Sequence, residues 1–183
     1  FIYLISPNKI NSAFYKDLLL VLKTGKVSFF QLRLKKYSLK NKILIGKKIR
    51  RICKNNNVKL IINDDPFLTK KLNADGCHLG QNDMNIIEAK KIIKNKIIGI
   101  TCHNSIKLAR IAIKNKANYL AFGAFFPTRT KNAKYTATTK VLNTVKKLTK
   151  IPLVAIGGIN NFNYKNLLLN KANFLAISSY IWN

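Results

Sequence analysis

Short runs rich in β-branched and aromatic residues alternate along the chain with lysine-rich segments whose apolar residues recur every three or four positions. The runs predict strands, and the segments between them, such as Phe14–Leu22 and Ile43–Cys53, predict helices. The predicted strands are Ile2–Ser6, Ser28–Leu34, Leu60–Asp64, Gly76–Gln81, Ile97–Cys102, Tyr119–Phe126, Leu153–Gly158 and Phe174–Tyr180. Eight βα units without a Pro- or Gly-rich linker favour a parallel (β/α)8 barrel over an open doubly wound sheet. We therefore expect residues 1–183 to form a single α/β domain of the TIM-barrel type.

The predicted eighth strand, Phe174–Tyr180, runs almost to the last residue, Asn183. The eighth helix of the barrel must therefore be short or missing. A missing tail, a shortened fold or a partner subunit in a homo-oligomer would have to cover that flank.

Composition narrows the class of protein. Hydrophobic residues make up 48% of the chain, which excludes a disordered protein, and no apolar run approaches the roughly 18–20 residues that span a bilayer. Residues 1–6 lack the basic start of a signal peptide, although the start at Phe1 suggests that a few leading residues are absent. The three cysteines are odd in number and lack CxxC spacing, as expected of reduced thiols in a cytoplasmic protein without a zinc site.

The chain is strongly basic, with 34 basic residues against 6 acidic ones and a net charge of +28, which attracts polyanions. Because the lysines are spread over the whole chain and no nucleic-acid-binding motif is present, we expect no specific nucleic-acid partner. The acids, in contrast, are clustered: Asp64, Asp65, Asp75 and Asp83 place four of the six in one 20-residue window. The cluster indicates either pairing with local lysines or a specific task, such as binding magnesium.

Polar residues alternate with leucine at the end of the second predicted strand. Gln31, Arg33 and Lys35 share one face, and Leu32 and Leu34 share the other. In a parallel barrel the outer face packs against helices, so the polar face should point inward, where cations are costly unless an anion pairs with them. The alternative is an edge strand with a solvated face, but the pattern favours a site for an anionic ligand.

Acidic residues follow the next two predicted strands. Asp64 and Asp65 precede Pro66, so one of the two could cap a helix while the other serves the mouth of the barrel. Asp83 follows the fourth strand. Carboxylates on successive βα loops could share one hard cation such as Mg²⁺, which keeps waters and bridges to substrate phosphates.

Three later segments have the composition of a phosphate site. Residues 123–131 form a strand end and a loop dense in hydroxyls and cations, Gly158 follows the seventh strand, and Ser178 closes the eighth. A Gly-Gly pair is common in ordinary turns. Loops after strands seven and eight nevertheless often bind phosphate in these barrels, because glycine lets backbone N–H groups approach oxygens.

Seven motifs in register resemble the thiamine phosphate synthase family over essentially the whole chain. They are Gln-x-Arg-x-Lys at 31–35, Ile-Asn-Asp at 62–64, Ala-Asp-Gly-x-His-Leu-Gly-Gln-x-Asp at 74–83, Gly-Ile-Thr-Cys-His at 99–103, Phe-Gly-x-x-Phe-Pro-Thr-x-Thr-Lys at 122–131, Ala-Ile-Gly-Gly-Ile at 155–159 and Ile-Ser at 177–178. The resemblance implies the same barrel and an enzyme of thiamine biosynthesis. Such enzymes couple hydroxymethylpyrimidine pyrophosphate to thiazole (carboxylate) phosphate and release pyrophosphate.

The resemblance also implies roles for the matching residues. Asp64 and Asp83 match the magnesium ligands. The site for the pyrimidine and its pyrophosphate is matched by Gln31, Arg33, Lys35, Asn63, Thr101 and Lys131, and the site for the thiazole phosphate by Thr128, Arg129, Thr130, Gly158, Ile177 and Ser178. In the family reaction pyrophosphate leaves first, and the thiazole nitrogen captures the pyrimidine methylene cation. Catalysis would then depend on charges that stabilise the leaving group, and Arg33, Lys35, Thr101 and Lys131 are the expected catalytic residues.

Two features leave other interpretations open. Thr101 stands where the family usually carries serine, and it keeps the hydroxyl but adds a methyl group. His103 resembles the catalytic histidine of a sister group, the thiazole tautomerases of the same fold, which bind no pyrophosphate. The pyrophosphate motifs favour the synthase, and a non-catalytic basic binding protein is a further alternative of another class.

Overall fold

Eight parallel strands close into a barrel in the computed structural model, which describes residues 1–128 and 135–182. The strands are β1 (Ile2–Ile5), β2 (Val27–Leu32), β3 (Lys59–Asn63), β4 (Gly76–Leu79), β5 (Ile97–His103), β6 (Tyr119–Phe122), β7 (Leu153–Ile156) and β8 (Phe174–Ile177). Each strand pairs with the next along the chain, and β8 pairs with β1. The predicted TIM-type barrel is confirmed.

Helices follow the strands in strict alternation. They are α1 (Ser12–Lys23), α2 (Leu39–Asn55), α3 (Pro66–Lys71), α4 (Ile86–Ile93), α5 (Ile106–Lys114), α6 (Thr139–Leu148), α7 (Tyr164–Leu169) and α8 (Ser179–Trp182). Several begin at a polar residue whose side chain accepts a hydrogen bond from a free N–H of the first turn, as Asn11 does from Phe14 at 2.9 Å. No helix of the described residues is long and apolar enough to cross a membrane.

Most strands end earlier than the sequence predicts. β6 stops at Phe122 rather than Phe126, because the backbone of Ala124 bonds to Tyr135 and Ala137 in the following loop instead of continuing the ladder. β8 stops at Ile177 rather than Tyr180, because α8 begins at Ser179. The polar ends of the predicted strands therefore belong to the loops at the mouth of the barrel.

Apolar side chains pack on both sides of the strands. Alternate residues such as Phe30 and Leu60 face the helices and are fully buried, and each such side chain contributes about 1.5–3 kcal/mol to folding. The inside of the barrel holds a smaller cluster around Tyr3, Ile61 and Tyr119. This interior packing forms the floor beneath the mouth.

An eighth helix is present, and α8 has 4 residues within the described part of the chain. Its last described residue, Trp182, donates a hydrogen bond from Nε1 to the carbonyl of Ile5 at 2.6 Å. The indole ring also packs on Phe14 of α1, with centroids 5.1 Å apart. Trp182 thus fastens α8 to the end of β1 and to α1.

Candidate active site

A cavity of about 340 Å³ opens where the strands end at their carboxyl sides. Its walls include every predicted site residue of the described part of the chain: Gln31, Arg33, Lys35, Asn63, Asp64, Asp83, Thr101, Thr128, Gly158, Ile177 and Ser178. Three further predicted residues, Arg129, Thr130 and Lys131, lie outside the described residues. The fold therefore brings residues from all parts of the chain to one site.

The adjacent aspartates after β3 have separate tasks. Asp65 caps α3, because its Oδ1 accepts a hydrogen bond from the Leu68 N–H at 2.8 Å. Asp64 adopts a left-handed backbone conformation with φ 64° and donates its N–H to the His78 carbonyl at 2.8 Å. Aspartate tolerates this conformation better than most residues do. Of the two open assignments, the cap thus belongs to Asp65, and Asp64 faces the cavity.

Asp83 reaches the same part of the cavity from the β4–α4 loop. Its Oδ2 accepts a hydrogen bond from the Gly80 N–H at 2.7 Å. Burial raises the pKa of the Asp83 carboxyl, and the neighbouring Asp64 raises it further, while Gly80 and Lys35 act in the opposite direction. The two carboxylates are therefore close enough to repel each other.

Positive charge partly offsets this repulsion. Lys35 Nζ lies 3.2 Å from Asp64 Oδ2, with the lysine side chain 57% and the aspartate 28% exposed. Because solvent screens such a pair, it stabilises the fold by at most about 1 kcal/mol. The pair matters more as a local arrangement of one cation beside two acids.

These donors fit a hard divalent cation better than a soft one. No group of three or more His, Cys, Asp or Glu side chains is arranged to hold a metal within residues 1–128 and 135–182. Mg²⁺ commonly uses only one or two carboxylates and completes its shell with waters and substrate phosphates. The pair of Asp64 and Asp83 matches that requirement.

The third acid of the sequence cluster is far from this site. Asp75 precedes β4 and accepts a hydrogen bond from the Leu60 N–H at 2.8 Å. It also lies 3.8 Å from both Arg50 and Lys59. Asp75 thus links the start of β3 to the start of β4. Although it is near Asp83 in the sequence, it does not lie beside Asp83 in the structure.

The alternating segment 31–35 at the end of β2 places its polar and apolar side chains on opposite sides, as the pattern predicts, although the strand itself ends at Leu32. Leu32 and Leu34 are buried among the helices, and Gln31, Arg33 and Lys35 line the cavity. Since the barrel is closed, the alternative of a solvated edge strand is wrong.

Arg33 is held by groups that follow β1. Its backbone N–H donates to Ser6 Oγ at 2.9 Å, and Nη1 donates to Asn8 Oδ1 at 3.2 Å. The guanidinium therefore has a neutral partner. Its charge remains available to an anionic ligand.

The wall of the cavity that follows β7 is made mainly of backbone. Gly157 and Gly158 follow β7 with φ 106° and 62°, a region that glycine adopts without strain. A Cβ on Gly158 would overlap the Pro127 carbonyl and lie 2.8 Å from the Phe126 Cβ. The glycine turn thus packs directly against the β6 loop that carries Thr128.

His103 lies at the end of β5 and is directed elsewhere. A bulge separates it from Thr101, its φ is 53°, and its ring stacks on Tyr135 with centroids 4.2 Å apart. Among the described residues that line the cavity, Thr101 is present and His103 is not.

Inside the barrel lies a polar cluster that the sequence patterns do not predict, formed by Tyr3, His78 and Tyr119. The Tyr119 hydroxyl lies 2.7 Å from that of Tyr3 and 2.9 Å from His78 Nδ1. Desolvation lowers the pKa of His78 to about 4 and raises the pKa of both tyrosines. The available signal was His78 itself, a polar residue between Cys77 and Leu79 in a buried strand.

Comparison with known proteins agrees with this geometry. The family model described as thiamine monophosphate synthase matches residues 2–181. The chain is 66% identical to the thiamine-phosphate synthase of Pelagibacter ubique and 38% identical to that of Rhodospirillum centenum, in each case over 100% of this chain and 89% of the relative. The solved structure of thiamine phosphate pyrophosphorylase from Pyrococcus furiosus is similar with a TM-score of 0.86 at 30% identity, covering 97% of this chain and 85% of that one. The chain therefore belongs to the thiamine monophosphate synthase family.

Proposed function

We propose that the cavity joins hydroxymethylpyrimidine pyrophosphate to thiazole (carboxylate) phosphate and releases pyrophosphate. The observation that carries this proposal is the meeting of two different anion sites in one cavity. Cationic and acidic side chains follow β2, β3 and β4, and a glycine turn follows β7. Two phosphorylated substrates could thus bind side by side.

One wall of the cavity, formed by Arg33, Lys35, Asp64 and Asp83, suits the pyrophosphate, and we call it the charged wall. Arg33 and Lys35 would contact the diphosphate and stabilise the charge that grows as it departs, which is the usual role of such cations in group transfer. Thr101 and Asn63 would supply polar contacts from neighbouring strands. Lys131 has the same predicted role and lies outside the described residues.

Asp64 and Asp83 would hold Mg²⁺ at the same wall. The bound ion would supply positive charge to the leaving group. Support comes from the two adjacent carboxylates and from the raised pKa of Asp83, which reflects its burial and the neighbouring Asp64. Without a cation at this point, the acids would repel the substrate that Arg33 and Lys35 attract.

The wall that follows β7 and β8, which we call the glycine wall, suits the thiazole phosphate. Gly158, Ile177, Ser178 and Thr128 line it, and the left-handed turn at Gly158 packs directly against the β6 loop that carries Thr128. The predicted contacts of Arg129 and Thr130 lie outside the described residues. The C–O bond would break first, with its electron pair leaving on the pyrophosphate held opposite, and the thiazole nitrogen would then capture the pyrimidine methylene cation.

The tautomerase alternative has weaker support. It requires His103 to act as a general acid and base, which needs hydrogen-bond reach to the substrate. The stacking of His103 on Tyr135 directs the ring towards the β6–α6 loop instead. The charged wall, moreover, would have no ligand in an isomerase.

We infer a cytoplasmic enzyme, supported by its small phosphorylated substrates and by the buried free thiols of Cys53, Cys77 and Cys102. A homo-oligomer remains a prediction for the flank near α8, which size-exclusion chromatography with light scattering would test.

The deciding experiment incubates the protein with both substrates, with and without Mg²⁺, and measures thiamine phosphate by mass. Formation of product only with the metal is expected. No product from the folded, magnesium-loaded protein would overturn the proposal.

A further inference from the structure

Five side chains form one continuous line of hydrogen bonds across the inside of the barrel. Gln31 Nε2 donates to the Tyr3 hydroxyl at 2.9 Å, and Tyr3 and Tyr119 share a bond of 2.7 Å. His78 then joins Tyr119 through Nδ1 and Thr101 Oγ1 through Nε2, each at 2.9 Å. We call this line, from Gln31 to Thr101, the hydrogen-bond chain. It connects five strands and ends at two residues that line the cavity, and Tyr3 and His78 also border that cavity.

The first bond sets the direction of all the others. The amide nitrogen of Gln31 can only donate, so the Tyr3 oxygen accepts. If Tyr119 also donated to Tyr3, the Tyr3 proton would be buried without an acceptor, which is costly. Tyr3 therefore donates to Tyr119, and Tyr119 donates to His78 Nδ1.

The same direction continues through the imidazole. A neutral histidine carries one proton, and because Nδ1 accepts from Tyr119, that proton lies on Nε2. Nε2–H then donates to Thr101 Oγ1. The hydroxyl proton of Thr101 is left to donate elsewhere.

Both ends of the hydrogen-bond chain consequently present a defined group to the cavity. At one end, Gln31 Nε2 is occupied by Tyr3, so Gln31 Oε1 is available as an acceptor. At the other end, the Thr101 O–H is available as a donor. Within the described part of the chain, neither group has another hydrogen-bond partner.

Packing holds the middle of the hydrogen-bond chain in place. The Tyr119 ring lies over Gly99, where a Cβ would overlap it. His78 stacks on this ring at 5.6 Å and 14°, and Tyr3 meets it edge-on at 5.6 Å and 76°. Thr101 is fixed from the other side because Gln81 Nε2 donates to its carbonyl. The side chains therefore have little freedom to reverse their contacts.

We propose that Tyr3, Tyr119 and His78 are positioning residues that present Gln31 as an acceptor and Thr101 as a donor to the substrate. The ligand class is a heterocycle with an N–H donor towards Gln31 and an acceptor, on the ring or on a phosphate, towards Thr101. The identity of this ligand as the pyrimidine pyrophosphate rests on the proposed function. The direction of the hydrogen-bond chain follows from the contacts in the barrel and is independent of the proposed function.

The direction is tested without substrate by NMR of the protein labelled with ¹⁵N-histidine. The chain has 2 histidines, so His103→Phe, which keeps an aromatic ring against Tyr135, assigns both signals. Near neutral pH we expect His78 to be protonated on Nε2 alone, and Tyr119→Phe to populate both tautomers. A wild-type proton on Nδ1 would overturn the direction, whatever the activity of the enzyme.

The positioning role is tested by kinetics. Tyr119→Phe should lower kcat/KM for the pyrimidine pyrophosphate by about tenfold and leave KM for the thiazole phosphate unchanged. Because one end of the hydrogen-bond chain is Thr101, Tyr119→Phe should share part of its loss with Thr101→Val, so the double variant should lose less than the product of the two single losses, whereas Thr101→Ser should retain activity. Tyr37→Phe, which removes a hydroxyl bonded to Ile10 outside the hydrogen-bond chain, is the matched control. Independent losses in the double variant, or equal losses for both substrates, would reduce Tyr119 to a packing residue.

Discussion

The charged wall, which follows β2 to β4, and the glycine wall, which follows β7 and β8, form anion sites by different means. On the β2–β4 wall, Arg33, Lys35 and two aspartates provide charge through flexible side chains anchored by local hydrogen bonds. On the β7–β8 wall, Gly158 provides open backbone in a left-handed turn that packs against the neighbouring loop. One wall depends on which side chains are present, and the other depends on the absence of one.

This difference determines how each wall should fail. Removing a charge from the β2–β4 wall should impair catalysis and leave the fold intact, because these side chains contribute little to packing. Adding a side chain to the β7–β8 wall should disturb both ligand binding and the β6 loop, because no space is available.

Loss of either acid should have the largest effect. We expect Asp64→Asn and Asp83→Asn to lower kcat by roughly 10³-fold, since a bound metal ion stabilises the charge of the transition state by several kcal/mol. Asp17→Asn, an exposed acid on α1, is the control and should be neutral. Steady-state rates across a Mg²⁺ titration measure the effect. Equal turnover by chelator-treated and magnesium-loaded enzyme would show that these acids bind no metal.

Arg33→Ala should lower turnover by roughly 10²-fold, because it removes one charge that stabilises the leaving pyrophosphate. Thermal unfolding should change little, since the guanidinium bonds only to Asn8 among the described residues. Arg110→Ala, on the exposed face of α5, controls for the change in net charge. A near-normal rate for the folded Arg33 variant would refute its role, and the sequence predicts the same loss for Lys131→Ala.

Gly158→Ala should raise KM for the thiazole phosphate about tenfold and spare the pyrimidine pyrophosphate, because the new Cβ would displace the Pro127 carbonyl and with it the loop that carries Thr128. Gly25→Ala is a matched control: its φ is 68°, but nothing lies within 4 Å of a Cβ there. Both variants carry the cost of a left-handed alanine, about 1 kcal/mol. Equal kinetics for the two would mean that Gly158 serves only the turn.

His103→Ala should have the smallest effect, within about tenfold of wild-type coupling or about 1.4 kcal/mol. His103→Phe should restore most of any loss, because the phenyl ring can replace the stack on Tyr135. An assay with thiazole carboxylate phosphate alone separates the synthase from the tautomerase. Isomerisation that disappears in His103→Ala would favour the tautomerase.

Much of the charged wall could be predicted from local sequence. The spacing of Gln31, Arg33 and Lys35 places all three on one side of the backbone, and that relation survives although the strand ends at Leu32. The strand ends themselves were predicted too far, because hydrophobic runs continue into residues such as Phe125 that pack in loops. Local patterns therefore predict which side a residue faces better than where an element ends.

Other assignments required contacts between distant parts of the chain. Asp64 and Asp65 are chemically identical, and the left-handed turn at Asp64 with its bond to the His78 carbonyl determines which one faces the cavity. Asp75 looks like a site residue in sequence, but its bonds to Leu60 and Arg50 hold it at the other end of the barrel.

Neighbours along the chain suffice to predict the alternation of strands and helices, the inward face of the β2 segment and the residue types that bind phosphate, because each of these is a local property. Closure of the barrel decided the rest. It placed Tyr3 of β1 beside Tyr119 of β6 across the barrel, while Gln31 bonds to Tyr3 and His78 bonds to Tyr119; these residues share no local pattern. Hydrogen bonds act over about 3 Å, so a network of this kind is specified only when tertiary packing brings its members within that distance.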